Sequence, residues 1–140
     1  MRIWRPTSRV AIVRKFIRAI NAHDIDALED LVHEDFCLID SSCNAIMGKS
    51  QSLDALQRMS RLSPEFRLNA TSISRRRDHV LISGSAHSHD PRMARATQWR
   101  ARVVGRKLCE WQAYAVYPAS SFQSILGSED AHSNEQVARV

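Results

Sequence analysis

The feature that most constrains this chain is a change of hydrophobic period at Pro64. Before it, apolar residues recur at helical spacing. Val10, Val13, Ile17 and Ile20 form one stripe with Phe16 beside them, while Arg14, Lys15 and Arg18 fill the opposite face. Pro6-Thr7-Ser8 offers a helix start, with Thr7 or Ser8 as cap. The stripe stops near Asn21-Ala22-His23, and Asp24 is placed to cap a short second helix carrying Ile25, Leu28, Leu31 and Val32. A strand is expected over 36–40, then a polar loop at Ser41-Ser42-Cys43-Asn44. Ser50 is expected to cap a third helix striped by Leu53, Leu56 and Met59. After Pro64 the period becomes two. Strand-like segments follow at 66–74, 80–87, 96–104 and 107–117, with turns at Arg75-Arg76-Arg77-Asp78 and Gly105-Arg106. Helices followed by antiparallel strands define an α+β domain. Residues 1–117 are read as one domain, and the Ser-rich segment 118–140 as a C-terminal tail.

Composition narrows the function classes. The 140 residues carry a net charge of +5, but the basic residues are spread along the chain with few aromatics among them. No nucleic-acid partner is expected on that pattern. No apolar run nears the roughly 18 residues of a membrane span, and no membrane partner is expected. The N-terminal Met-Arg-Ile-Trp-Arg-Pro lacks the apolar stretch of a signal peptide, so a cytoplasmic location is expected. Cys37, Cys43 and Cys109 show no metal-type spacing and read as free thiols. There is no phosphate loop, dinucleotide fingerprint or nucleophile elbow, so neither metal nor cofactor is expected.

Candidate site residues come from strand parity. Phe36, Leu38 and Asp40 share a strand face, so an apolar face ends in a carboxylate. That acid is a general base or substrate contact in a cavity, a cap for the Ser41-Ser42 turn, or a salt-bridge partner. Trp99, Ala101 and Val103 share one later face, and Trp111, Ala113, Ala115 and Tyr117 another. Together they line a cavity or fill a core. The opposite faces hold Gln98, Arg100, Arg102, Glu110 and Gln112, which suit cross-strand pairing or a dimer interface. His87-Ser88-His89-Asp90 reads as a solvated strand end rather than a metal site, with His87 a candidate helper for Asp40.

With Phe16, the run Asn21-Ala22-His23-Asp24-Ile25-Asp26-Ala27-Leu28, Phe36, Asp40, Gly48, Leu53 and Leu56 in this order, the chain resembles the nuclear transport factor 2-like superfamily. That superfamily includes ketosteroid isomerases and SnoaL-type polyketide cyclases. The resemblance, over residues 9–117, implies a cone-shaped barrel with three N-terminal helices on a curved antiparallel sheet. It places Asp40 at the general base of the isomerases. Phe16 stands where they carry an oxyanion-stabilising tyrosine, and Gln98 or Trp99 where they carry a protonated aspartate. The base is kept and the oxyanion donors are not, which argues against steroid isomerisation. The expectation is a cofactor-independent isomerase, cyclase or dehydratase, with Asp40 and His87 catalytic. An apolar, cyclic substrate would be held by Phe16, Trp99, Trp111, Ala113 and Tyr117. The competing expectation is a ligand-binding or dimerisation module of the same fold. A homodimer is expected through the outer sheet face.

Overall fold

Helix α1 (Arg9–Ala22) buries Val13, Phe16, Ile17 and Ile20 because residues three and four apart share a face. In the computed structural model, which describes residues 8–115, it lies across a six-stranded sheet of order β2-β1-β6-β5-β4-β3. The strands are β1 (Val32–Ile39), β2 (Ala45–Met47), β3 (Arg67–Arg76), β4 (His79–His87), β5 (Gln98–Val104) and β6 (Lys107–Tyr114). Helix α2 (Ile25–Leu31) packs beside α1, and α3 (Lys49–Leu62) covers β1 and β2. The core between the layers is built on Val13, Phe16, Leu28, Phe36, Val80, Ile82, Val103 and Leu108. Among the described residues, no helix is long and apolar enough to cross a membrane. The tail assigned to 118–140 lies outside the described residues.

The family-like run Asn21 to Asp24 closes chain ends. Asn21 Nδ2 donates to the Leu68 carbonyl at 2.9 Å, and its Oδ1 accepts the Leu68 N–H at 2.8 Å. That satisfies both main-chain groups of a residue on the edge strand β3. His23 ends α1 in the left-handed region, with φ 54°, and its N–H returns to the last carbonyls of the helix. Its ring lies 2.7 Å from Ser60 Oγ and 3.1 Å from an Arg67 nitrogen, which ties α1 to α3 and β3. Asp24 Oδ1 accepts the Ala27 N–H at 3.1 Å and starts α2. Ser8 caps α1 in the same way.

Several elements differ from the sequence reading. Val32 leaves α2 and opens β1, pairing with Leu108 of β6, so a distant strand overrides a helical spacing. The β1–β6 pair is parallel and the other pairs are antiparallel, so the sheet is mixed and open at β2 and β3. The stretch after the polar loop forms β2, whose three residues pair only with β1. Helix α3 is entered through Gly48, at φ 94°, rather than capped by Ser50. The Gly48 N–H donates to the Phe36 carbonyl at 2.8 Å, and only glycine adopts that φ freely. Register breaks in the β1–β6, β3–β4 and β5–β6 pairs bend the sheet around the helices.

Candidate functional site

Cross-strand pairing sets large residues against small ones on the concave face. Trp99 on β5 stands opposite Ala113 on β6, and Ala101 opposite Trp111. The two indoles stack at 6.4 Å with 25° between their planes. Space remains beyond them, toward the ends of β1 and β6. It is a cavity of about 220 Å³ walled by Trp99, Trp111, Leu56, Met59, Phe66 and Met93, with Leu38, Leu68, Ile20, Ile39 and Ala113 completing the apolar lining. The polar groups on its wall are Asp40, Ser41 and Arg92. An apolar body with a few polar groups is the usual make-up of a small-molecule site.

Asp40 sits just past the end of β1, exposed at the rim. Its carboxylate also organises its own turn. Oδ1 accepts the Ser42 and Asn44 N–H groups, each at 2.9 Å, while among the described residues Oδ2 takes only Asn44 Nδ2, at 3.3 Å. The Asp40 N–H donates to the Asn44 carbonyl and its own carbonyl accepts from Cys43 N–H, each at 3.0 Å. The turn therefore fixes Oδ1 and leaves Oδ2 as the oxygen with spare lone pairs.

The other candidates separate by position. Trp99, Trp111 and Ala113 line the cavity with Asp40. Phe16 does not. It is fully enclosed behind Trp111, with ring centroids 4.7 Å apart, and it also touches Phe36 at 6.1 Å. His87 follows the alternation Val80, Ile82, Gly84, Ala86 and so falls on the outer face, exposed at the end of β4. Gln98 is exposed on the outer face of β5. Tyr117 lies outside the described residues.

Arg92 and Met93 were not anticipated. They belong to the β4–β5 connection, whose sequence has no period and whose placement depends on residues far away. Asp90 Oδ1 accepts the Arg92 N–H at 3.0 Å and its Nε at 3.1 Å, and Oδ2 accepts Nη2 at 2.8 Å. These bonds hold the Asp90 carboxyl down at about 2 and push the guanidinium up. Leu56, Met59 and Ile20 were legible as helix stripes, but as packing residues rather than cavity lining.

On the convex face Arg100 Nη2 donates to Gln112 Oε1 at 3.1 Å and to Glu110 Oε1 at 3.4 Å. Its Nε is buried with no hydrogen-bond partner among the described residues. Cys37 lies beside Glu110 in the β1–β6 register, and burial first, then that carboxylate, push its thiol up.

Three helices on one face of an open, bent, mixed sheet, with a cavity between the layers at one end, define an α+β protein of the NTF2-like class. The SnoaL-like domain family is matched over residues 13–107, and the chain belongs to that family. No curated protein matches the sequence. Among solved structures the chain is similar to an NTF2-like protein of unknown function from Cytophaga hutchinsonii, at 12% identity and TM-score 0.67, covering 86% of this chain and 99% of that one. It is also similar to an LEH-like epoxide hydrolase of M. tuberculosis, at 17% identity and TM-score 0.69, covering 81% and 83%. A third, of ketosteroid isomerase-like fold from Catenulispora acidiphila and solved in complex with trimethylamine, shares 22% identity at TM-score 0.60, covering 79% and 87%. At these identities the likeness is one of fold.

Proposed function

We propose that this protein is a cofactor-independent enzyme acting on a small, apolar, cyclic compound, as an isomerase, cyclase or dehydratase. The observation that carries the reading is the apolar cavity of about 220 Å³ with Asp40 on its rim. Trp99, Trp111 and Ala113 would hold the ring system, and Asp40 Oδ2 would take and return the proton. Developing negative charge needs a donor, and Phe16 has none. Arg92 is the one cation among the described residues on the cavity wall, which makes it the candidate for that role. His87 and Gln98, on the outer face, are poorly placed for it. Neighbours of the same fold include an epoxide hydrolase and a protein solved with trimethylamine, so the fold accommodates small-molecule sites.

A second reading is a ligand-binding module of the same fold. It is favoured by the three hydrogen bonds that the Asp40 carboxylate accepts from its own turn. In either reading the convex sheet face is proposed to form a homodimer, which would supply an acceptor for the orphaned Arg100 Nε. Light scattering showing a monomer at micromolar concentration would remove the dimer.

The test begins with a thermal-shift screen of small cyclic compounds, since a ligand of the folded state raises apparent stability by mass action. Asp40→Asn then separates the readings. Its amide oxygen can still accept from Ser42 and Asn44, so the turn is kept while the base is lost. Turnover of a hit should vanish with binding nearly intact. Near-normal turnover in Asp40→Asn would overturn the mechanism, and hits that bind but are never converted would favour the binding module.

A further inference from the structure

Ser63 closes α3, Glu65 leads into β3, and Ser88 and His89 open the loop between β4 and β5. All of them converge on one oxygen. Glu65 Oε2 accepts from Ser63 Oγ at 2.5 Å, from Ser88 Oγ at 3.2 Å and from the His89 N–H at 3.0 Å. His89 also places its ring Nδ1 2.6 Å from that oxygen. The two serine hydroxyls lie 2.8 Å apart, and Ser88 Oγ accepts the Asp90 N–H at 3.0 Å. Ser63 is fully buried, so its hydroxyl has no access to water as an alternative.

The next residues along this loop form a wall of the cavity. Asp90 fixes Arg92 through backbone and guanidinium, and the Met93 N–H donates to the Asp90 carbonyl at 3.0 Å. Arg92 and Met93 line the cavity, as does Phe66, which directly follows Glu65. We propose that Glu65 is the positioning residue of the cavity, its carboxylate clamping the β4–β5 loop to the α3–β3 corner and so closing Arg92 and Met93 over the bound compound. The proposal rests on the cavity being the functional site, but its test needs no ligand. A charged acceptor matters here because hydrogen bonds to a carboxylate are roughly twice as strong as neutral ones. The bond from Ser63, then that from His89, hold the Glu65 carboxyl down at about 2, so the clamp keeps its charge.

Glu65→Gln keeps the length and removes the charge. It is compared with wild type by amide hydrogen exchange and by acrylamide quenching of Trp99 and Trp111, both in a Trp4→Phe background. Exchange across 88–97 should quicken roughly tenfold, while β5 and β6 keep their protection. Quenching should rise at least about twofold as the cavity opens. Ser88→Ala and His89→Ala remove donors from the loop side only and should act the same way, which covers a Glu65→Gln protein that fails to fold. Glu34→Gln, at an exposed acid paired with Lys49, should change neither reading. Unchanged loop exchange would overturn the proposal. So would exchange that rises evenly through the sheet, or a loosened loop with unchanged quenching. An empty ligand screen would count against the proposed function and leave this result standing.

Discussion

Asn21→Ala is the sharpest probe of how the helical layer is fastened to the sheet. In wild type the amide makes a two-point contact with the Leu68 backbone, at 2.9 and 2.8 Å, on the edge strand β3. Alanine removes both bonds and adds nothing. A typical intramolecular hydrogen bond contributes about 1 kcal/mol net, and a buried group left unpaired costs about 1–3 kcal/mol. Both contacts are part-buried, so water can partly replace the amide and the lower end of that range applies. With two groups at about 1 kcal/mol each, the expected loss is about 2 kcal/mol. At about 3 °C per kcal/mol for a chain of this size, Tm should fall by about 6 °C. Urea denaturation should give a lower midpoint with an unchanged slope, since the surface exposed on unfolding is the same. Asn21→Asp should be no better than alanine. It keeps an acceptor for the Leu68 N–H but turns the other contact into an oxygen facing an oxygen. A loss below about 0.5 kcal/mol in Asn21→Ala would refute the argument, because water would then serve Leu68 as well as the amide does.

Gly84→Ala should destabilise by more than the two-kelvin scatter of a melting experiment, since an added Cβ would stand 1.9 Å from the Asn69 carbonyl oxygen on the neighbouring strand; an unshifted Tm would mean β3 and β4 can part there at no cost. The Glu65 carboxyl, at about 2 in the folded chain against an ordinary 4.5, binds protons less readily when folded, so its stabilisation is complete above 4.5 and drains away as pH falls toward 2. Glu65→Gln should accordingly flatten the acid limb of a Tm-versus-pH curve, and an identical limb in the variant would contradict this. Iodoacetamide at pH 8 should label exposed Cys43 first, leave buried Cys109 protected, and modify Cys37 slowly because burial and Glu110 push its thiol up; peptide mapping with Cys37 labelled first would overturn that order.

The periodic parts of this chain were legible. α1 and its Ser8 cap, the Asp24 cap of α2 and the four later strands follow from spacing and turn chemistry alone. The misreadings share a cause, which is pairing between distant residues. Val32 is extended because Leu108 is beside it, and Ala45 to Met47 are a strand only because Cys37 to Ile39 pair with them. Gly48 displaces Ser50 at the start of α3 because the Phe36 carbonyl takes its N–H. On the cavity wall, strand parity brought out Trp99, Trp111, Ala113 and Asp40. Parity applied to β4 would also have turned His87 away, since it is odd in a row whose even members face the core. Nothing local marks Arg92 or Met93, whose loop is held by Glu65 across more than twenty residues of sequence.

The physical roles of the Asn21–Asp24 run belong to the fold of this chain rather than to its cavity. Asn21 completes the hydrogen bonding of an edge strand, His23 turns the chain out of α1, and Asp24 starts α2. None of the three lines the cavity, so each role holds whatever fills it. In the proposed function, the groups that would discriminate between reactions lie elsewhere, on the Asp40 turn and on the β4–β5 loop, which supply the polar groups of the cavity wall. Both are irregular segments whose geometry is fixed by carboxylates, Asp40 for the first, Glu65 and Asp90 for the second. Change in those segments costs little of the helix–sheet core, so a chain can keep the shared architecture while its cavity rim changes. The proposed activity should therefore respond to substitutions at Asp40, Glu65 and Arg92 far more than to conservative changes among Val13, Val80 and Val103. Those three valines are wholly buried in the core, and their replacement would be read in stability before it was read in turnover.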